Sequence, residues 1–169
     1  ALALAAADAG ANLFIHYGSS QAQAVETQAA IQAKGRQAHL LQADLNDLDQ
    51  TLQLVERASR IHPISALVNN ASIFEPLTWQ DTTPQDWQRN LQVNLTAPFF
   101  LSQAFARQLP GGETGRIVNL LDWRALRPAA DHLPYTISKA ALAALTRSLA
   151  AALAPRIQVN GLALGAVLP

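Results

Sequence analysis

Cysteine and methionine are both absent from this chain of 169 residues, and its formal net charge is zero. Without cysteine there is no disulfide framework and no thiolate metal site, and the 4 histidines lie too far apart in sequence to suggest a shared metal. The 12 basic and 12 acidic side chains leave no positive surplus for a nucleic-acid backbone or an anionic membrane. We therefore predict no metal and no nucleic-acid partner.

Long hydrophobic runs are also missing, since none reaches the roughly 18 residues that span a bilayer. We predict no membrane partner. The alanine- and leucine-rich start lacks the basic lead-in of a signal peptide and soon reaches Asp8, so we interpret it as the end of a helix closed by Gly10. A cysteine-free chain is compatible with a reducing cytoplasm, which is the predicted location. Because even an initiator methionine is absent, we expect the natural chain to be longer.

What is present is a chain that is 50% hydrophobic and 14% charged, which suits one globular domain with a buried core. Short apolar runs typical of buried strands alternate with helical patterns. The alternation predicts parallel βαβ units in a layered, doubly wound α/β sheet over residues 1–169. The predicted strands are 12–17, 39–42, 66–70, 116–121 and 157–160, and the main predicted helices are 21–34, 48–60, 84–108 and 135–153.

Polar groups follow four of the predicted strands. In parallel sheets, ligands bind beyond the carboxyl ends of the strands. Groups able to form hydrogen bonds stand at four such ends, namely 17–20, Asp44, Asn69 with Asn70, and Asp122. This distribution predicts one ligand site shared by these ends.

Tyr135 and Lys139 stand four residues apart at the start of the last predicted helix, so both side chains project from one helix face. A nearby ammonium favours the phenolate, so the spacing predicts a lowered tyrosine pKa and a group able to transfer a proton near neutral pH. An isolated Tyr-x-x-x-Lys also arises by chance on a solvated helix face. The pair alone leaves both interpretations open.

Four motifs stand in order along the chain: Asn69-Asn70-Ala71, Asn94 between Val93 and Leu95, Tyr135-x-x-x-Lys139, and Asn160-Gly161. In order and spacing they resemble the short-chain dehydrogenase/reductase family. The resemblance implies a nicotinamide-dependent oxidoreductase with a Rossmann-type parallel sheet in a single domain. That family opens with a central strand and a glycine-rich turn and ends with a substrate-covering segment, none of which we find, so we expect residues 1–169 to be an incomplete domain.

The resemblance also implies roles for individual residues. Tyr135 is the expected proton donor to the reduced substrate, Lys139 lowers its pKa and holds the nicotinamide ribose, and Asn94 supports a proton-relay water. A homotetramer built partly by the Asn94 and Tyr135 helices is implied as well. Expected cofactor contacts are Asp44 and Leu45 at the adenine, Asn69, Asn70 and Ala71 as the wall beside it, and Gly165 at the nicotinamide, although Leu164 stands where the family usually has proline.

The turn after the first predicted strand favours NADP(H). Members of the family that use NAD place an acid at the end of this strand, where it binds the ribose 2′-hydroxyl and repels a 2′-phosphate. Tyr17 occupies this position, and Gly18, Ser19 and Ser20 follow it. Serine hydroxyls and turn N–H groups are suitable donors to the phosphate. Relatives that prefer NADP often have arginine at the Gly18 position, so we expect the positive charge to come from the glycine-rich segment.

Asp122 stands 13 residues before Tyr135, where most of the family has a serine that donates to a substrate carbonyl. An ionised carboxylate only accepts hydrogen bonds, so Asp122 favours a substrate with N–H donors or a ring nitrogen to protonate. Aspartate, tyrosine and lysine together resemble the pteridine reductase subgroup, including dihydromonapterin reductase-like enzymes. The loop Asn-Ala-Ser-x-Phe of that subgroup matches residues 70–74, which implies that Phe74 stacks on the pterin and Ser72 hydrogen-bonds it.

The predicted function is therefore hydride transfer from NADPH to a C=N bond of a dihydropteridine, dihydromonapterin or dihydrofolate. The alternatives are a reductase of another carbonyl or imine substrate and a non-catalytic dinucleotide-binding protein. Structural alternatives also stand for the site residues: Phe74 as a loop anchor, Ser72 as a turn cap, Asp122 as a cap or a partner of Arg124, and Asn94 as a bond to nearby backbone. No chemistry is assigned to Trp79, Trp87, Trp123, His16, His39, His62 or His132.

Overall fold

Five strands alternate with six α-helices in the computed structural model, which describes residues 1–165. Residues 166–169 of the predicted domain lie outside the described residues. The strands are β1 (Leu13–Tyr17), β2 (Ala38–Gln42), β3 (Ala66–Asn69), β4 (Gly115–Asp122) and β5 (Ile157–Leu164). The helices are α1 (Leu2–Asp8), α2 (Gln21–Ala33), α3 (Leu48–Ser59), α4 (Pro84–Leu91), α5 (Ala97–Gln108) and α6 (Leu133–Leu153).

Local chemistry explains where several helices begin and end. Asp47 caps α3 by accepting a hydrogen bond from the Gln50 N–H at 3.1 Å. Thr83 forms a capping box with Asp86 at the start of α4. Gly10 follows α1 with φ 97°, a left-handed conformation that glycine adopts without steric cost. These boundaries agree with the sequence-based ones.

The predicted helix 84–108 is interrupted. A π-helical segment, Gln92–Thr96, separates α4 from α5 and contains Asn94. A π turn widens the helix by one residue and often marks a functional position. Hydrophobic periodicity does not resolve such a local change, because the π-helical segment is only five residues long and is continuous with α4 and α5.

All strand pairs are parallel, which confirms the predicted architecture, but the sheet is divided. β1 pairs with β2, while β3, β4 and β5 form a second group in that order. Within residues 1–165 no strand pairing joins β1 to β3. The break falls at the position that the family resemblance assigns to a further strand. Val68 in β3 is correspondingly 51% exposed.

Helices α3 and α5 pack across both parts of the sheet. Phe14 of β1 and Leu67 of β3 contact the same apolar cluster, in which Leu54 and Leu101 are buried. A shared hydrophobic layer therefore holds the two groups of strands together despite the missing ladder. Across residues 1–165, no helix combines the length and apolar character of a membrane crossing.

The last helix packs on the second group of strands through its leucine side chains. Leu149 and Leu153 contact a cluster containing Phe105 and Ile157. Gly161 of the Asn-Gly motif lies in β5, and a Cβ there would stand 2.6 Å from a methyl carbon of Leu121. Close packing against Leu121 of β4 thus explains why position 161 is a glycine. Helix α6 packs on both β4 and β5.

Candidate active site

Asp122 and Tyr135 form the centre of the candidate site. Asp122 ends β4, and Tyr135 lies in the first turn of α6, so two elements that pack together bring the side chains into contact. The Tyr135 hydroxyl donates to Oδ2 of Asp122 at 2.9 Å. Oδ1 of Asp122 accepts from the Arg124 N–H at 2.8 Å. Asp122 therefore caps the following turn, which is its structural alternative, and also faces the tyrosine, while its predicted bond to substrate stays a prediction.

The pKa of Tyr135 is raised, which corrects the prediction that Lys139 lowers it. Burial is the largest cause, followed by the hydrogen bond to Asp122 and the charge of that carboxylate. The Lys139 ammonium lies 5.6 Å from the centre of the Tyr135 ring, whereas the carboxylate binds the hydroxyl directly. The tyrosine is therefore a protonated donor at neutral pH.

Lys139 is almost completely buried, at 3% exposure. Its Nζ donates to the Leu120 carbonyl at 2.7 Å, which uses one of the three N–H donors of an ammonium. Burial lowers the pKa of Lys139 to about 8, and the charge of Asp122 opposes that shift. The remaining donors of the ammonium are the groups that the resemblance assigns to the nicotinamide ribose.

Asn94 fastens the loop that contains Ser72, Ile73 and Phe74 to the π-helical segment. Its Oδ1 accepts from the Ile73 N–H at 2.9 Å and from the Ser72 hydroxyl at 3.0 Å. Its Nδ2 donates to the Ile73 carbonyl at 3.0 Å and to the Ser138 hydroxyl at 3.1 Å. Asn94 therefore has the structural role considered as the alternative, and its relay role stays a prediction. Ser72 faces Asn94, so its predicted bond to substrate is likewise untested.

Phe74 is held beside Tyr135. The edge of one ring meets the face of the other, with centroids 4.6 Å apart and planes at 74°. Phe74 is 52% exposed, so part of its ring remains open to solvent. Phe74 also stacks on the His132 ring, and its ring centroid lies 5.5 Å from Cζ of the Arg124 guanidinium. A loop anchor alone does not require such an open aromatic surface.

The turn after β1 differs from this packed centre. Gly18, Ser19 and Ser20 are exposed, and Ser20 precedes α2 without using its side chain as a cap. Tyr17 presents no acidic side chain, and its carbonyl accepts from the Ala43 N–H at 3.1 Å. This turn follows β1 at the same edge of the sheet at which Asp122 ends β4.

The predicted adenine wall is only partly accessible. Asp44 is exposed and accepts a bond from the Asn46 N–H at 2.9 Å, whereas the Leu45 side chain is buried in the core. Asn69 is also buried and donates to Oδ1 of Asn119 at 2.8 Å. Asn70, in the same predicted wall, is exposed, and Ala71 is partly buried. Gly165, predicted to contact the nicotinamide, is exposed.

Sequence reasoning missed residues that support the site. Asn119 accepts a hydrogen bond from Asn69 and donates one to the Thr146 hydroxyl. The signal that could have identified it is a single asparagine inside an apolar strand pattern. Asp131 accepts bonds from Arg124 and His132 beneath Phe74, and no spacing rule links these loop residues. Within residues 1–165, no three histidine, aspartate or glutamate side chains are grouped as a metal site.

Comparison with known proteins identifies the class. A model of the family described as short chain dehydrogenase matches residues 1–169, and the chain belongs to that family. A short-chain type dehydrogenase/reductase of Picea abies is 34% identical over 158 residues, which are 88% of this chain and 58% of the relative. The chain thus spans less than two thirds of that protein.

Two other similar proteins differ in their named substrates. The structure of FolM alternative dihydrofolate reductase 1 from Brucella suis, in complex with NADP, is similar with a TM-score of 0.92 and 37% identity, covering 99% of this chain and 71% of that chain. A 3-oxoacyl-[acyl-carrier-protein] reductase of Synechocystis is 30% identical over 98% of this chain and 68% of its own length. The family prediction is confirmed. Because the two names imply different substrates, the substrate has to be inferred from the geometry of the site.

Proposed function

We propose that the protein transfers a hydride from NADPH to a C=N bond of a pterin, of the dihydropteridine, dihydromonapterin or dihydrofolate type. The observation that carries the proposal is the 2.9 Å hydrogen bond from the Tyr135 hydroxyl to the Asp122 carboxylate. A carboxylate at this position cannot donate to a ketone oxygen, but it accepts the N–H groups of a pterin. The site therefore suits a nitrogen heterocycle.

Tyr135 supplies the proton in this proposal. Reduction of a C=N bond adds a hydride to carbon and a proton to nitrogen, and NADPH supplies the hydride when it is bound. The raised pKa of Tyr135 keeps its hydroxyl protonated, and the bond to Asp122 fixes the position of its oxygen. Because the hydroxyl has one hydrogen, it must turn from Asp122 to the ring nitrogen for the proton to be transferred. Asp122 holds the N–H edge of the heterocycle so that the ring nitrogen lies within reach of that hydroxyl.

The described residues fit an NADP cofactor. Lys139 would hold the nicotinamide ribose with its remaining N–H donors, because its ammonium makes a single bond, to the Leu120 carbonyl. Exposed Ser19 and Ser20 at the start of α2 would meet the 2′-phosphate, where helix N–H groups favour an anion. Tyr17 places no acid there. The NADP complex of the similar Brucella suis protein supports this choice.

Phe74 would provide the surface on which the pterin stacks. Its half-exposed ring stands edge-on to Tyr135, so a flat ring lying on it is within reach of the reacting hydroxyl. The dihydrofolate reductase name of the similar Brucella suis protein supports a pterin substrate. The name of the Synechocystis relative supports the rival, reduction of a carbonyl.

The test is NADPH oxidation by the purified intact protein with dihydrobiopterin, dihydromonapterin and dihydrofolate, beside a set of ketones. We expect faster oxidation with at least one pterin. Asp122→Ser should lower pterin turnover by about 100-fold or more, because a donor replaces the required acceptor, and Asp122→Asn should retain more activity. Equal oxidation with and without every pterin would contradict the proposal. Turnover of ketones by the wild-type protein would favour the rival.

We also propose a cytoplasmic homotetramer, on the family resemblance. Trp87 on α4 and Ile137 on α6 are partly exposed apolar side chains on the helices expected to meet a partner, at 37% and 39% exposure. Burial of such groups between subunits would stabilise the assembly. Light scattering of the intact protein measures the number of subunits directly.

A further inference from the structure

His132 forms a parallel stack with Phe74. The ring centroids are 3.8 Å apart and the planes differ by 4°. This separation is that of rings in contact, so no third ring fits between them. A flat ligand that stacks on this pair must lie on one of its two outer faces.

Exposure distinguishes the two outer faces. Phe74 is 52% exposed, whereas the His132 side chain is only 18% exposed. A histidine lying over Phe74 as a lid would be the more exposed partner. Phe74 is therefore the more open ring of the pair, bordered by the Arg124 guanidinium at 5.5 Å from its centroid, and His132 supports it on the stacked face.

His132 is itself held in place. Oδ2 of Asp131 accepts from Nδ1 of His132 at 2.9 Å and from Nη2 of Arg124 at 2.9 Å. Because an ionised carboxylate only accepts, Nδ1 carries the proton in this contact. The Arg124 guanidinium also lies over the rings of Phe74 and Trp123. Two cation–π contacts of Arg124 and two hydrogen bonds to Asp131 thus restrict the position of the His132 ring and its neighbours.

The backbone of His132 has an unfavourable conformation. Its φ of 52° and ψ of 46° are left-handed, and it is the one non-glycine residue with positive φ among residues 1–165. Non-glycine residues adopt this conformation uncommonly, although histidine does so more often than most, and such residues cluster at functional sites. The next residue, Leu133, donates its N–H to the Leu77 carbonyl at 2.7 Å, which ties the start of α6 to the loop of Phe74.

We propose that His132 is a positioning residue for the substrate: its ring holds Phe74 flat as the stacking surface for the heterocycle. The inference rests on the proposed function and adds a residue to which no chemistry was assigned. His132 does not touch the reacting atoms. It therefore affects how tightly the substrate binds and leaves the hydride and proton transfers unchanged.

Two substitutions separate the ring from the backbone. His132→Gly removes the ring and relieves the left-handed backbone, while His132→Phe restores a stacking ring in the same unfavourable backbone. We expect the glycine variant to raise KM for the dihydropterin about three- to tenfold with kcat within about twofold, and the phenylalanine variant to restore KM to within about twofold. His62→Gly, an exposed histidine after α3, is the control and should leave KM unchanged.

A purely structural role predicts the opposite order, with the glycine variant equal to the wild type and the phenylalanine variant impaired. That result would overturn the inference alone. Proton NMR of the imidazole gives a readout without substrate: the His132 signals should be shifted upfield and should return toward the His62 values in Phe74→Leu. An absent shift also overturns the inference. If the wild-type protein shows the shift but no pterin turnover, the proposed function fails, and the substrate role of His132 fails with it.

Discussion

At the Tyr135 end of the candidate site the polar side chains bind one another, whereas at the Tyr17 end they face solvent. Asp122, Asn94 and Lys139 each make hydrogen bonds to protein groups between 2.7 and 3.1 Å. Ser19 and Ser20 are exposed, and Ser20 does not cap α2. The contrast is between a centre organised before any ligand binds and a turn whose polar groups remain for a ligand to use.

This difference follows from what each end is proposed to do. Proton and hydride transfer depend on atoms held within fractions of an ångström, so preorganisation lowers the barrier to reaction. A phosphate on the ribose needs donors and the absence of an acid, which an open turn provides. Changes at the organised end should therefore affect stability and turnover together, and changes at the open turn should affect cofactor choice alone.

Among the variants that test this contrast, Asn94→Ala is expected to have the largest effect on stability. The substitution leaves the Ile73 N–H and carbonyl and the Ser72 and Ser138 hydroxyls without their partner. We expect the free energy of unfolding to fall by about 2–4 kcal/mol and kcat/KM for the pterin to fall more than about tenfold, because the loop carrying Phe74 is released. Chemical denaturation and steady-state kinetics measure the two effects.

Asn119→Ala is the matched control, since Asn119 is equally buried and hydrogen-bonded but lies away from the Phe74 loop in β4. It should lower the free energy of unfolding by a similar amount with a smaller rise in KM for the pterin. Equal effects of the two variants on KM would show that substrate binding depends on the overall stability of the protein. The contrast between a preorganised Tyr135 end and an open Tyr17 turn would then not hold.

An intermediate effect is expected for Tyr17→Asp at the open turn. A carboxylate here would repel a 2′-phosphate and accept a bond from a ribose 2′-hydroxyl. We expect Kd for NADPH to rise on the order of tenfold and Kd for NADH to fall, with an unchanged free energy of unfolding. Fluorescence titration of both cofactors measures this. Tyr17→Asn, which adds no charge, should change the preference little, and an equal loss of NADPH affinity in that variant would contradict the electrostatic argument.

The smallest effect concerns pH. The pKa of Lys139 lies near 8, so its ammonium is present below that pH and is lost as the pH rises through it. If the ammonium holds the ribose, Kd for NADPH should rise about three- to fivefold between pH 7 and 9. Lys139→Met, which is neutral throughout, should bind more weakly with no such dependence. The same pH dependence in that variant would assign the titration to another group.

Element order and type were largely predictable because they follow from local patterns. Alternating apolar runs and helical periodicity identified the five strands and the main helices, and Asp47, Thr83 and Gly10 show the expected chemistry at helix ends. The π-helical segment at Asn94 and the separation of β1 from β3 were not predicted. Both depend on how neighbouring elements pack, which no window of the sequence contains.

The candidate site divides in the same way. Asp122, Tyr135 and Lys139 were predicted together, and the structure brings them together because β4 and α6 are adjacent. The expected direction of the Tyr135 pKa shift was wrong, because spacing along a helix describes one neighbour and omits burial and the Asp122 carboxylate at the end of β4. A pKa depends on all nearby charges and on burial, which only the packed structure specifies.

By itself, the sequence determined the family and the parallel α/β architecture and pointed to Asp122, Tyr135 and Lys139 as candidate site residues, because motifs and periodicity are properties of residues close in sequence. Tertiary structure alone decided that Tyr135 donates its hydrogen bond to Asp122, that Asn94 fastens the loop of Phe74, and that His132 supports that ring. These contacts join elements far apart along the chain. Their distances and burial, which set the pKa values and the open face of the ring, exist only once the elements have packed.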